Sequence, residues 1–273
     1  MTDRPVVLVT GCSTGIGRAT ALRLAASGRW TVYATARDAS TLSPIAELGA
    51  VVRRLDTTDE ASMRAVVEEA GRVHALVNNA GYGEYGVVEE LPLDALRRGF
   101  ETNVIGPTRL CQLVLPHMRE AKSGRIVFVG SLGGKFTMPG AAAYHMTKYA
   151  LESLVDALRF EVAPFGVRVT LVQPGLVRTA FGDTAVRTLA SNSSEEGPYA
   201  PFTKFMAAFY QGAFATPTMG VSAETVAEAI ERALVAEEPP TREAVTDDKT
   251  LIDLRSQLDD LAFDAVLRKM HGG

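Results

Sequence analysis

Val6-Val7-Leu8-Val9-Thr10-Gly11-Cys12-Ser13-Thr14-Gly15-Ile16-Gly17 is the stretch that decides the fold. Four consecutive aliphatic residues predict a strand buried on both faces, and the glycines after it predict a tight turn into a helix over residues 17–27. Glycine permits the turn and lets an anion approach the backbone amides at the helix N-terminus, so the arrangement suits a pyrophosphate. The spacing Gly-x-x-x-Gly-x-Gly departs from the commoner Gly-x-Gly-x-x-Gly dinucleotide pattern but stands in the same strand-to-helix context. No Gly-Lys-Ser/Thr follows, so the phosphate lysine and metal-binding hydroxyl of an NTPase loop are missing.

Thr31-Val32-Tyr33-Ala34 completes a βαβ unit, and the rhythm continues. Val51-Val52-Arg53-Arg54-Leu55, Ala75-Leu76-Val77, Ile126-Val127-Phe128-Val129-Gly130 and Val167-Arg168-Val169-Thr170-Leu171-Val172 read as further strands. Helices are predicted over residues 59–70 with Asp59 near the cap, from Leu93 past Cys111, and over residues 144–163. Strands apolar on both faces belong to a parallel sheet between two helical layers, a doubly wound α/β fold. Residues 181–219 break the rhythm with a long segment containing Ser191-Asn192-Ser193-Ser194-Glu195-Glu196-Gly197-Pro198, the composition of an irregular lid. A helix over residues 222–236 resumes the domain, Glu237-Glu238-Pro239-Pro240 ends it, and residues 249–270 read as one last amphipathic helix. The expectation is one domain over residues 1–273, with a lid at 181–219.

The chain has 273 residues, 47% hydrophobic and 22% charged, with a formal net charge of -4. That balance leaves no basic footprint for a nucleic acid or a membrane surface. The apolar run after Met1-Thr2-Asp3-Arg4-Pro5 is too short for a signal-peptide core or a membrane span, so a cytoplasmic location is expected. Cys12 and Cys111 make no disulfide framework, and His74, His117, His145 and His271 are scattered without metal-ligand spacing.

At the end of the second strand the chain reads Ala34-Thr35-Ala36-Arg37-Asp38. An NAD-binding protein places an acidic side chain here on the adenosine ribose, whereas an arginine accommodates a 2′-phosphate. Aligning Ala36 with the acidic position assigns Arg37 to a 2′-phosphate, with Arg18 as a second contact, and selects NADP(H) over NAD(H). Asp38 marks the alternative: a register two residues later reverses the choice, and either charge also suits a solvated strand end.

Tyr144-His145-Met146-Thr147-Lys148, with Ser131 upstream, brings a phenol and an ammonium onto one helix face one turn apart. A free phenol titrates near about 10, and a neighbouring cation lowers that value toward working pH. Alone, Tyr-x-x-x-Lys is an ordinary spacing for an exposed helix pair.

With residues 10–17, Asn78-Asn79-Ala80-Gly81, Asn103, Ser131, Tyr144, Lys148 and Pro174-Gly175 in this order, the chain resembles the short-chain dehydrogenase/reductase family over roughly residues 5–180. The resemblance implies a seven-stranded Rossmann-type sheet and NAD(P)-dependent interconversion of an alcohol and a carbonyl. It implies a catalytic group in which Ser131 hydrogen-bonds the substrate oxygen and Tyr144 donates or removes its proton. Lys148 would lower the phenol pKa and hold the nicotinamide ribose, and Asn103 would anchor a water in a relay to Lys148. Gly11, Ser13, Thr14, Gly15, Ile16 and Gly17 would cradle the pyrophosphate, and Asn79, Ala80 and Gly81 would turn beside the cofactor. Asp56 would touch the adenine or serve only as a strand cap, and Pro174, Gly175, Val177 and Thr179 would border the nicotinamide.

Tyr82, Tyr85, Phe136, Met138 and Phe181 surround these positions with bulk and little charge. Within the lid, Phe202, Phe205, Met206, Phe209, Tyr210 and Phe214 recur at nearly helical spacing, which predicts an aromatic stripe facing the pocket; core or a subunit interface would use the same pattern. The expected substrate is a mostly apolar ketone or secondary alcohol, such as a steroid, retinoid, acyl or aromatic carbonyl compound, bound by Ser131, Tyr144, Tyr85, Phe136 and Phe181. The glycine loop and residues 144–153 look like the hydroxysteroid and retinol dehydrogenase side of the family. A catalytically silent NADP(H)-binding sensor and an NAD-dependent alcohol oxidiser are the competing readings. Relatives of this kind assemble as homodimers or homotetramers.

Overall fold

Residues 4–216 and 219–270 are described by a computed structural model; residues 217 and 218 of the expected lid, and His271, lie outside the described residues. Along the chain, β1 (Val6–Val9), α1 (Gly15–Ser27), β2 (Thr31–Ala36), α2 (Ser43–Ala46), β3 (Val51–Arg54), α3 (Glu60–Ala70) and β4 (Val73–Asn78) come first. Then follow α4 (Leu93–Phe100), α5 (Gly106–Glu120), β5 (Gly124–Val129), α6 (Ala142–Val162) and β6 (Val167–Pro174). The last elements are α7 (Phe181–Ser191), α8 (Ala200–Ala215), α9 (Ala223–Val235), β7 (Arg242–Val245), α10 (Thr250–Gln257) and α11 (Asp260–Met270).

The strands pair in parallel in the order β3-β2-β1-β4-β5-β6-β7. Alternation along each strand sends residues to opposite layers. Val7, Val9, Ala75, Val77, Val127 and Val129 pack with Leu24 of α1 and Ile230 of α9. Leu8, Leu76, Ile126 and Phe128 pack on the other side with Met63 of α3, Val114 of α5 and Val155 of α6. The chain moves outward from β1 to β2 and β3, then crosses back to β4 on the other side of β1. That reversal opens a crevice at the C-terminal ends of β1 and β4, the place where doubly wound sheets bind ligands.

Four expectations need correction. Within residues 181–219 the helix that the aromatic spacing suggests is present as α8, which buries Met206 and Tyr210, but the segment before it is not irregular throughout: α7 buries Ala185 and Leu189 at a spacing of four, leaving the polar residues 192–199 as the irregular part. The last helix is two, because Leu258 is extended and the Asp259 carboxylate restarts the chain by accepting from the Ala262 amide at 2.8 Å. The helix from Leu93 is interrupted by a π turn over Glu101–Ile105. Pro107 carries no N–H, so it cannot donate to the Asn103 carbonyl four residues back. Finally, the seventh strand, which the resemblance implies without giving it a place, is Arg242–Val245. Its signal is tertiary: Arg242 reaches Glu152 at 2.9 Å and Asp156 at 2.6 Å, both on α6.

Candidate active site

The glycine turn after β1 meets the turn after β4 at the crevice. Gly15 has φ of +55°, a left-handed conformation that favours glycine. At Gly17 a Cβ would run into the Gly11 carbonyl oxygen and the Asn79 amide, so the loop is packed too closely for any side chain there. Asn79 Nδ2 donates to the carbonyls of Thr10 at 2.8 Å and Gly11 at 3.2 Å. In return the Thr10 hydroxyl accepts from the amides of Asn79 at 3.1 Å and Ala80 at 3.0 Å. The two turns are thereby stapled, and the N-terminus of α1, with Ser13, Thr14, Gly15 and Ile16 leading into it, opens into the crevice as an anion cradle. The Thr179 methyl would lie 3.1 Å from a Cβ placed on Gly15, so the segment after Pro174 borders the same cradle. Gly175 holds that segment to the sheet by donating to the Val245 carbonyl at 3.0 Å, and Val177 bridges to Val221.

Beside it, Ala36 is buried at the end of β2 and Arg37 is exposed. Oδ1 of the exposed Asp38 caps the following turn, accepting from the Ser40 amide at 3.0 Å and the Ser40 hydroxyl at 2.7 Å, which holds the carboxyl pKa below the ordinary value. Arg18 is exposed on the first turn of α1. Asp56 is a local cap, with Oδ1 accepting from the Thr58 amide at 2.9 Å and hydroxyl at 2.8 Å.

Ser131, just past β5, caps a short 3-10 turn over Leu132–Gly134, and its Oγ accepts from the Gly133 amide at 3.0 Å. Tyr144 and Lys148 rise from the start of α6, and both are buried. The Lys148 ammonium donates to the Val129 carbonyl at 2.9 Å and lies 5.6 Å from the Tyr144 ring centroid. Burial pushes the Tyr144 phenol up to about 12, with the neighbouring Ser131 hydroxyl working the other way, and brings Lys148 down to about 8. The net shift of the phenol is therefore upward and not downward as expected: both groups are withdrawn from water, and for each the loss of hydration disfavours the charged form.

Asn103 sits in the π turn, a device common at functional sites. Its side chain accepts from the Tyr82 amide at 3.1 Å and donates to the Tyr82 carbonyl at 2.9 Å and the Thr147 hydroxyl at 3.1 Å. Thr147 in turn donates to the Tyr144 carbonyl at 2.7 Å. The amide of Asn103 is thus spent on fixing the turn after Gly81 to α6, and any relay to Lys148 falls to its backbone carbonyl, which lacks an α-helical donor at Pro107.

Aromatic rings cover the phenol. Phe181 of α7 lies 5.2 Å from the Tyr144 ring, Tyr85 lies 5.9 Å away, and Tyr210 of α8 packs on Tyr85 at 4.9 Å. Met138, Met206 and Leu189 complete this cluster, with Phe136, Phe209 and Phe214 packed against it. The stripe on α8 divides: Met206, Tyr210 and Phe214 join the cluster, whereas Phe202 and Phe205 are exposed. Three residues that organise the site escaped sequence reading as functional. They are Thr10, Thr147 and His145, whose Nδ1 lies 2.8 Å from the carbonyls of both Gly133 and Phe136. Thr10 and Thr147 stand inside the motifs, and that adjacency was the available signal. Among the described residues no cluster of His, Cys, Asp or Glu could hold a metal, and no helix is long and apolar enough to cross a membrane.

The short chain dehydrogenase family model matches residues 5–189. Human 17-beta-hydroxysteroid dehydrogenase type 1 is 34% identical over 98% of this chain and 85% of its own length. The 3-ketodihydrosphingosine reductase of Bacteroides thetaiotaomicron is 36% identical over 71% of each chain. A solved short-chain dehydrogenase from Streptomyces avermitilis superposes with a TM-score of 0.80 at 36% identity, covering 98% of this chain and 97% of that one. Such matches span the glycine cradle, the crevice and the tyrosine-bearing helix alike. The chain is a member of the short-chain dehydrogenase/reductase family, an oxidoreductase that acts on hydroxyl and carbonyl groups with a nicotinamide cofactor.

Proposed function

We propose that this oxidoreductase uses NADP(H) to interconvert a ketone and a secondary alcohol on a mostly apolar small molecule, with Tyr144 as the proton donor and acceptor. The observation that carries the reading is the buried Tyr144 phenol beside the Lys148 ammonium, one turn away on the same helix and roofed by Tyr85 and Phe181. When bound, the cofactor supplies or accepts the hydride. The glycine cradle would hold its pyrophosphate, Asn79, Ala80, Gly81, Pro174, Gly175, Val177 and Thr179 would border the nicotinamide half, and Lys148 would reach the ribose.

During reduction, negative charge grows on the carbonyl oxygen, and the hydroxyls of Ser131 and Tyr144 donate to it more strongly in the transition state than before. The phenol is protonated at neutral pH and can act as the acid in reduction, although burial alone makes it a weaker one than a free phenol. Oxidation needs the phenolate, and the Lys148 ammonium is the charge placed to favour it. The substrate pocket in this reading is the aromatic cluster beneath α7 and α8, which act as its lid. The two relatives are named for a hydroxysteroid and for 3-ketodihydrosphingosine, both largely apolar, and this supports the same substrate class. With NADPH, kcat/KM for estrone and 1-tetralone should exceed that for erythrose by at least about a hundredfold; the reverse order would remove the apolar-substrate reading. Exposed Met146, Tyr149 and Phe160 on α6 support assembly with a second copy, as a homodimer or homotetramer.

The NADP(H) preference rests on Arg37, which follows the buried Ala36 at the end of β2 and is exposed there. A charge-assisted hydrogen bond to the 2′-phosphate is worth about 1.5–3 kcal/mol, so Arg37→Ala should lower kcat/KM for NADPH by about ten- to a hundredfold and leave NADH nearly unchanged. Equal losses with both cofactors would show that Arg37 does not read the phosphate.

A further inference from the structure

We infer that His145 is a positioning residue: its ring holds the turn after Ser131 and through that turn fixes where the Ser131 hydroxyl points. His145 follows Tyr144 on α6, is buried, and turns its ring away from the pocket toward residues 133–136. Nδ1 lies 2.8 Å from the Gly133 carbonyl and 2.8 Å from the Phe136 carbonyl. Both partners can only accept, so Nδ1 carries the proton and is shared between them. Burial keeps the imidazole pKa below its ordinary value, which maintains this neutral tautomer at pH 7.

The same residue 133 that receives this proton donates its own amide to Ser131 Oγ at 3.0 Å. That bond occupies a lone pair of the hydroxyl and leaves its proton and other lone pair free for Tyr144 or a substrate oxygen. The fit is tight, because a Cβ on Gly133 would come 2.8 Å from the His145 ring and 3.3 Å from Ser131 Oγ. A second tie from α6 carries the far end of the turn, where Lys135 meets the Glu152 carboxylate at 2.7 Å. One helix therefore supplies Tyr144 and Lys148 and also anchors the loop that presents Ser131. A catalytic hydroxyl displaced by a fraction of an ångström loses much of its effect.

The inference rests on the reading that Ser131 assists the proton transfer by Tyr144, and a double-mutant cycle separates the two. With 1-tetralone or estrone and NADPH, His145→Ala should lower kcat at least about tenfold while the dissociation constant for NADPH changes less than threefold. His145→Asn should recover most of the loss, since the Asn amide nitrogen stands as many bonds from the backbone as Nδ1. In a Ser131→Ala background, His145→Ala should cost no further activity. Equal losses in both backgrounds, or a loss under twofold in the wild type, would overturn the inference while leaving the role of Ser131 intact. Wild-type kcat in Ser131→Ala alone would instead overturn the reading of Ser131. Should His145→Ala not fold, His145→Gln, whose amide nitrogen stands one bond further out, should give an intermediate kcat between Ala-like loss and the Asn rescue, and a kcat equal to that of His145→Asn would overturn the inference. Independently of any substrate, nitrogen-15 spectra of labelled histidine, assigned with His145→Asn, should show His145 as the Nδ1-protonated tautomer. The Nε2-protonated form would overturn the proposal.

Discussion

Tyr144→Phe is expected to lower kcat by between about a hundredfold and ten-thousandfold, the range that a positioned general acid contributes. The substitution deletes one hydroxyl and keeps the ring that packs against Tyr85 and Phe181. Since the packing is kept, folding should lose little, on the order of 1 kcal/mol at most. NADP(H) affinity should therefore stay within about threefold of wild type, by fluorescence titration, while steady-state turnover of estrone or 1-tetralone collapses. A variant with kcat within threefold of wild type would remove Tyr144 from the proton step. The binding measurement matters because it separates lost chemistry from a damaged crevice, which would lower affinity and turnover together.

Five of the seven strands were legible as largely apolar, buried runs, a pattern that needs no partner to be recognised, and β3 by the Val51-Val52 pair that opens it. Arg242–Val245 was not, since it holds a single β-branched residue and is held by ion pairs from Arg242 to α6. Similarly, the spacing of Met206, Tyr210 and Phe214 announced α8, whereas Phe181–Ser191 buries Gly182 and Ala185 with Leu189 as its one large buried side chain, which leaves a weaker periodic signal. The positions around the site were readable from motifs, but their electrostatics were not. One turn between Tyr144 and Lys148 suggests a lowered phenol; the depth at which both groups lie reverses the shift, and depth is a property of the packed fold. His145 is the sharpest instance. As a lone histidine in sequence it carries no signal, and its importance comes from two carbonyls brought to it by the turn after β5.

The same burial makes Lys148 a residue that the fold carries at a cost. Its pKa of about 8 stands below the ordinary 10.5, so between these values the unfolded chain holds a proton that the folded chain lacks. Stability attributable to this group therefore rises with pH from about 8 to about 10.5, and below about 8 the full penalty applies. A shift of that size corresponds to about 3 kcal/mol. Lys148→Met keeps much of the side-chain volume without the charge, at the loss of the hydrogen bond to the Val129 carbonyl, which is worth about 1.5–3 kcal/mol. The net expectation, without cofactor at pH 7, is an unchanged or higher stability by up to about 1.5 kcal/mol, or a few degrees in Tm. At pH 10.5 the penalty is gone from the wild type while the variant still lacks its hydrogen bond, so the order should invert. Turnover should fall at least about a hundredfold at every pH, because the one ammonium beside the phenol is gone. Thermal unfolding of both proteins at pH 7 and 10.5 decides it: a variant less stable by the same margin at both would mean that Lys148 is charged in the fold at no cost. The inversion would identify the buried ammonium as a group kept for chemistry against the interest of stability, as expected where an active site must hold a charge away from water.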